Sequence, residues 1–469
     1  MRLTRRDPGI GYLDNWLWIP KTHMSELQAR STFSYVTAKM DVIDAWVEEP
    51  HHFRVPRSYI SSAALGGMPF PIYDARFKNF PKVDLQSYVT LDAKEPTKTY
   101  QRDGSEALLA TYDGILCLRC GAGKTVVALH TAAQVKEPIL VMVTNKNIAR
   151  QWVDEIVSFL RVPVEDIGRI GGDGSPFNWE GKPITVALVQ TIASRVAAGT
   201  LPVEMTRYFG VVLFDEAHLM GAPYFNTAAP PFHGRRWGLT ATPTREDGFD
   251  SLLRYTVGNV VYSYLIPDLK PTVFFKRLPT RPNFNKLEVQ ELTHDSYKKQ
   301  LHFGMLYSYF ASHCDERTEQ IVKEVKGAVD EGRQVLVLTH SRVMCEKLGE
   351  LIPGAGVCHG GVKEDDRIRH IRECNPVIAI MQLGKEALNK PSLDTLFVCE
   401  PFTKKGPLQQ TMGRVLRSFS GKKTPIVVFF EDVYIRPLLL MCNKLRKSLI
   451  RWPSFKGGSI PFKIIKVKE

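Results

Sequence analysis

Residues 114–130 read GILCLRCGAGKTVVALH. An apolar run, a Gly-rich turn and a helical pattern follow one another without a break, which is the context a phosphate-binding loop requires. Gly121 and Gly123 let backbone N–H groups close around phosphate oxygens with no Cβ in the way. The helix that follows directs its N-terminus at the anion. Lys124 is expected to reach the β- and γ-phosphates and the Thr125 hydroxyl to ligate Mg²⁺, so ATP and Mg²⁺ are the expected ligands of Cys120, Gly121, Ala122, Gly123, Lys124 and Thr125. Leu118 stands where the usual pattern has its first Gly, which leaves a chance Gly-rich turn open on this segment alone.

Outward from this loop, short apolar runs alternate with helical patterns. PILVMV (138–143), ITVALV (184–189), VVLFD (211–215) and WGLTA (237–241) have the composition of buried parallel strands, and TVVALHTAAQV and NIARQWVDEIVSFL have helical spacing. Such βαβ alternation predicts a doubly wound parallel sheet. IPDLKPTVFFKRLPTRPN, from residue 266, is Pro-rich with little periodicity and reads as an extended linker. The alternation then restarts with QVLVLTH, GVCHG, VIAIMQ, TLFVCEP and PIVVFF, so a second α/β lobe is expected. Residues 1–95 differ: they are aromatic-rich, hold five prolines from Pro50 to Pro81, and predict a small separate α+β domain. The expected organisation is therefore 1–95, then a first lobe over 96–270, then linker and second lobe over 271–469.

VVLFDEAHLM ends an apolar strand on two carboxylates. A carboxylate at a strand's C-terminal edge, opposite a phosphate loop, is where a nucleotide's Mg²⁺ sits. Asp215 is the expected metal contact and Glu216 the general base for the attacking water. In RRWGLTATPTRED, the hydroxyls of Thr240 and Thr242 are placed to hydrogen-bond the acidic stretch, with His218, and relay its state. In LQQTMGRVLR, Gln410, Arg414 and Arg417 fall at i, i+4 and i+7, one helix face. On an ordinary helix this is a solvated stripe; opposite a bound nucleotide the guanidiniums stabilise transition-state charge.

The 469 residues carry a formal charge of +13 and a pI of about 9.2, a balance that suits a polyphosphate partner. Eight cysteines form no disulfide-like framework, so a reducing, cytoplasmic setting is expected. Cys117 and Cys120 make a CxxC with no second pair to complete four zinc ligands. Beside the helix N-terminus and Lys124, Cys120 is either a reactive thiol or a buried inert one. The basic N-terminus has no apolar core of a signal peptide, and no run is long enough to span a membrane.

Together these motifs resemble superfamily 2 DNA helicases and translocases, in particular the XPB-like group that includes phage UvsW-type proteins, over residues 97–449. LRCGAGKT looks like the XPB-type phosphate loop, TYQRDGSEAL like the segment whose glutamine, here Gln101, reads adenine, and LFDEAH is similar to motif II with a DEAH box. VTNKNIARQW and VALVQTIASR resemble motifs Ia and Ib. GLTATPTREDG resembles motif III followed by an Arg245-Glu246-Asp247 triplet, VLVLTHSR motif IV and QQTMGRVLR motif VI. The resemblance implies two RecA-like lobes in tandem and ATP in the cleft between them. It also implies DNA contacts by Thr144, Arg150, Gln190, Thr191, Thr339 and Gln382; Lys404 and Lys405, just after the strand TLFVCEP, are expected to add to the grip from their position and are equally readable as a solvated turn. Motif V departs from the family: Ile380, Ala387 and Asn389 replace a Thr, a Gly and an Asp, which puts coupling to the track in doubt. The implied protein is an ATP-dependent motor on branched or duplex DNA in replication, recombination or repair, a monomer or a subunit of a larger machine. An RNA helicase and a DNA-binding module with a weakly coupled motor are the rivals.

Overall fold

The structure, a computed structural model, describes residues 7–37, 40–63, 68–119, 121–172, 176–242, 249–266, 269, 271–281, 303–381, 383, 390–401, 412, 415, 416, 419, 421–450 and 462–466. Cys120, Arg245, Glu246, Asp247, Gln382, Ala387, Asn389, Lys404, Lys405, Gln410, Arg414 and Arg417 lie outside the described residues. The chain divides into two units, Met1–Tyr264 and Leu265–Glu469.

The first unit opens with β1 (Gly11–Leu13), β2 (Trp16–Pro20), helix α1 (Glu26–Phe33), β3 (Val47–Glu48), β4 (His52–Pro56) and β5 (Ile72–Asp74). The strands form one sheet in the order β3-β4-β2-β1-β5. Leu13, Leu17, Ile19, Phe53 and Val55 alternate onto one face and cover Ala29 and Phe33 of α1. Ser25 caps that helix reciprocally with Gln28.

The larger part of this unit is a doubly wound sheet. Its elements are α2 (Tyr100–Leu109), β6 (Asp113–Leu118), α3 (Lys124–Val135), β7 (Ile139–Val143), α4 (Lys146–Leu160), β8 (Ile167–Ile170), β9 (Phe177–Asn178), β10 (Ile184–Leu188), α5 (Val189–Ala197), β11 (Val211–Phe214), β12 (Arg235–Thr240) and β13 (Val260–Tyr264). The strand order is β9-β8-β10-β7-β11-β12-β6-β13, parallel throughout except for edge strand β9. The continuous apolar runs follow from burial on both faces: Ile139, Val141 and Val143 enter one core with Leu116, Leu118 and Leu213, while Leu140 and Met142 enter the other with Val212 and Phe214. Helices α3 and α4 cover the first face, α5 the second.

The leading segment is fastened to this sheet by a buried clamp. Arg57 is 1% exposed and grips Asp113, the first residue of β6, through Nε (2.8 Å) and Nη2 (2.6 Å). Ser58 Oγ donates to the same carboxylate at 2.9 Å, and Arg236 of β12 donates to the Asn15 carbonyl at 2.9 Å. The leading strands and the doubly wound sheet belong to the same compact unit, Met1–Tyr264.

The second unit contains β14 (Thr272–Leu278), α6 (Phe303–His313), α7 (Asp315–Asp330), β15 (Val335–Thr339), α8 (Arg342–Leu351), β16 (Gly356–Cys358), β17 (Val377–Ile380), β18 (Thr395–Val398), β19 (Ile426–Asp432), α9 (Arg436–Ile450) and β20 (Phe462–Lys466). Seven parallel strands run in the order β16-β17-β15-β18-β19-β14-β20. One expectation is corrected here. The stretch read as an extended linker holds β14, an internal strand paired with β19 and β20. Its flanking prolines, Pro271 and Pro279, fall outside the hydrogen-bonded ladder, while Val273, Phe275 and Leu278 are buried. No helix among the described residues is long and apolar enough to cross a membrane.

Candidate nucleotide site

In a parallel sheet all C-terminal strand ends share one edge, and there the first unit gathers the expected residues. β6 ends at Leu118, so the position that usually carries a Gly is the last residue of a buried strand, and its carbonyl accepts from Lys124 Nζ at 3.4 Å. Gly121 (φ 79°) and Gly123 (φ 81°) are left-handed, the conformation that favours glycine. A Cβ on Gly123 would also come within 2.7 Å of Gln101 Nε2. Ala122 is buried, and Lys124 and Thr125 open helix α3 half-buried.

Gln101, on α2, lies against this loop. Its Nε2 donates to the Ala122 carbonyl (2.9 Å) and its Oε1 accepts from Asp92 N (2.6 Å). One amide hydrogen and one lone pair remain, the complement of an adenine edge. Asp92, which the sequence reading passed over, holds a left-handed φ of 58° and accepts from the backbone N–H groups of Gln101 (3.0 Å) and Arg102 (3.2 Å).

The acidic pair follows β11, which is separated from β6 by β12 alone. Asp215 N donates to Met142 O at 3.0 Å, Oδ1 accepts from Glu216 N at 2.9 Å, and Oδ2 accepts from Trp152 Nε1 at 2.9 Å. Desolvation and the neighbouring Glu216 charge raise the Asp215 pKa to about 6, against the opposing pull of the Trp152 hydrogen bond and the Lys124 charge. Glu216 is held at φ 48°, and its Oε2 is buried without a hydrogen-bond partner among the described residues. His218 Nδ1 lies 3.3 Å from that oxygen and 3.1 Å from Thr240 Oγ1. Thr240 Oγ1 donates to the Thr242 carbonyl (3.1 Å) and accepts from Thr242 N (3.0 Å), so the end of β12 is tied through His218 to the acidic pair.

Among the described residues no three His, Cys, Asp or Glu side chains form a metal cage. The donors present, one hydroxyl and one carboxylate short of positive charge, suit Mg²⁺, which keeps waters and takes phosphate oxygens. Trp152 was missed by sequence reading. It sits with Ile156 and Leu160 on the buried face of α4, and a buried indole N–H usually finds an acceptor, which was the available signal.

The expected nucleic-acid residues separate into groups. Thr144 and Gln190 are brought together, Gln190 Nε2 donating to the Thr144 carbonyl at 2.6 Å, with Thr191 half-buried beside them. Arg150 is exposed on α4. Thr339 is 0% exposed and its hydroxyl donates to the buried Glu400 carboxylate at 3.1 Å, so its side chain cannot touch a track. Ile380 packs against the buried cluster of Val337, Cys345 and Ile378.

A family model described as "Type III restriction enzyme, res subunit" matches residues 94–245. "DNA 3'-5' helicase XPB" of Mycobacterium tuberculosis is 34% identical over 179 residues, 36% of this chain and 32% of that protein. "Putative ATP-dependent RNA helicase L396" of Acanthamoeba polyphaga mimivirus is 24% identical over 330 residues, 68% of this chain and 60% of its own length. "Probable helicase D10" of Escherichia phage T5 is 23% identical over 370 residues and 76% of each chain. The chain matches about a third of the length of the mycobacterial relative. Residues 94–245, which hold most of this site, match the res-subunit family model, and the chain is similar over part of its length to XPB-type helicases.

Proposed function

We propose that the chain is an ATP-dependent DNA helicase or translocase of superfamily 2, of the XPB-like, DEAH-box type with UvsW-like affinities. It would act on branched or duplex DNA in replication, recombination or repair, as a monomer in a reducing, cytoplasmic compartment. The single observation that carries this reading is the Asp215–Glu216 pair at the strand edge of the phosphate loop, with the Lys124 charge acting on Asp215 and the buried Glu216 Oε2 3.3 Å from His218 Nδ1.

The loop N–H groups and Lys124 would hold the phosphates, and Gln101 would read the base. Thr125 and Asp215 would hold Mg²⁺, whose charge neutralises the leaving phosphate when bound. Glu216 would take the proton of the attacking water at Oε2, and His218 with Thr240 would keep that carboxylate in place. Arg414 and Arg417, with Gln410, are proposed from the sequence to supply transition-state charge. DNA contacts are proposed for Arg150, Thr144, Gln190, Thr191, Gln382, Lys404 and Lys405. A second reading, an RNA motor, has the printed name of the mimivirus relative in its favour.

The test is Mg²⁺-dependent ATP hydrolysis with fork, Holliday-junction, duplex and single-stranded DNA and with RNA, read together with strand separation. Stimulation by DNA is expected. Hydrolysis that no nucleic acid stimulates would leave a DNA-binding module, and stimulation by RNA alone would favour the second reading.

A further inference from the structure

Trp152 makes a contact that packing alone does not require. It is 2% exposed, its ring belongs to the core on the α4 side of the sheet, and its single donor ends on Asp215 Oδ2 at 2.9 Å. With Oδ1 accepting from Glu216 N, both oxygens of the carboxylate have a fixed direction. An indole has one N–H and no acceptor, so this bond holds the carboxylate in one rotation without competing for the remaining lone pairs. Helix α4 begins at Lys146, directly after Asn145, whose side chain accepts from Ile148 N and sets the helix start beside Thr144. Arg150 lies on the exposed side of the same helix.

We propose that Trp152 is a positioning residue for the nucleotide's Mg²⁺: it orients Asp215 toward the cation and links the pose of helix α4 to that carboxylate through one hydrogen bond. The inference rests on the reading of Asp215 as the metal contact. A ligand that displaces α4 through its exposed side would change the direction of Oδ2, which makes the helix a lever on cation binding.

The experiment measures binding of a fluorescent ATP analogue to the full chain with and without Mg²⁺. Trp152→Phe keeps a ring and removes the donor; Trp152→His returns a ring N–H; Asp215→Asn runs alongside, and thermal unfolding without nucleotide reports the fold. Affinity without Mg²⁺ should stay within about twofold in Trp152→Phe, whereas the gain on adding Mg²⁺ should fall by about tenfold, the scale of one lost hydrogen bond to a charged group. Trp152→His should recover part of that gain. A full Mg²⁺ gain in Trp152→Phe overturns the inference, as does an equal loss with and without Mg²⁺, which is the mark of packing alone. If Asp215→Asn also keeps the full gain, the metal assignment itself fails. If Asp215→Asn loses it while Trp152→Phe does not, only the role of Trp152 falls.

Discussion

Two aspartates stand at opposite ends of the same parallel sheet and live in opposite conditions. Asp113 begins β6 and is met by the Arg57 guanidinium, the Ser58 hydroxyl and the Arg236 backbone N–H. Burial pushes its pKa up, yet the charges of Arg57 and Arg236 and these hydrogen bonds outweigh it and hold the carboxyl below its ordinary value. Asp215 follows β11 at the other end. It has an indole and a backbone N–H but no ion pair among the described residues, with Glu216 next to it, and is raised to about 6. The first carboxylate is complete inside the protein and serves as a fastening. The second is short of positive charge among the described residues, which suits the proposed role of a contact for a cation that arrives with a ligand.

The contrast can be broken at several points. The largest effect is expected at Glu216, where Glu216→Gln should keep ATP binding and lower turnover by ~10²–10⁴-fold, because an amide cannot take the water's proton. Hydrolysis near the parental rate would remove the catalytic meaning of that end. At the other end, Arg57→Ala leaves Asp113 buried without its main partner and should cost ~3–5 kcal/mol in denaturant unfolding. Asp215→Asn, in the same assay, should change stability by ~1 kcal/mol or less. Equal destabilisation by the two variants would erase the distinction between fastening and site.

A pH test sharpens the fastened end. His233 neighbours the clamp, its carbonyl accepting from Arg57 Nη1 at 3.0 Å, and burial followed by the charges of Arg207, Arg57 and Arg236 lowers its pKa to about 4. The unfolded chain binds that proton near its ordinary value of 6.5, so stability from this group is full above that value and is lost as pH falls toward about 4. His233→Gln should flatten the unfolding midpoint over this window; an unchanged slope would show that His233 is not the group responsible. An effect smaller than that at Arg57 is expected at Ile380→Thr. A hydroxyl placed in the cluster with Val337 and Ile378 should cost ~1–3 kcal/mol, with no gain in DNA-stimulated hydrolysis from that change alone. A clear gain would return this position to the nucleic-acid surface.

Sequence alone determined the doubly wound class and the loop of Gly121, Gly123, Lys124 and Thr125. Both are local: strand-length apolar runs bounded by turns, and glycines where a backbone must turn left-handed, can be read residue by residue. The same holds for Asp215 and Glu216, since two carboxylates closing an apolar strand point to one sheet edge. What depends on partners distant in the chain was decided only by the tertiary structure. Strand β14 hid among prolines because its place between β19 and β20 is a long-range pairing. Thr339 looked available until Glu400, 61 residues on, was seen to take its hydroxyl. The clamp joins Arg57 to Asp113 across 56 residues, and the indole of Trp152 reaches Asp215 across 63. No local pattern encodes such pairs; a buried charge or N–H states only that it needs a partner, and the packing of the sheet chooses which one.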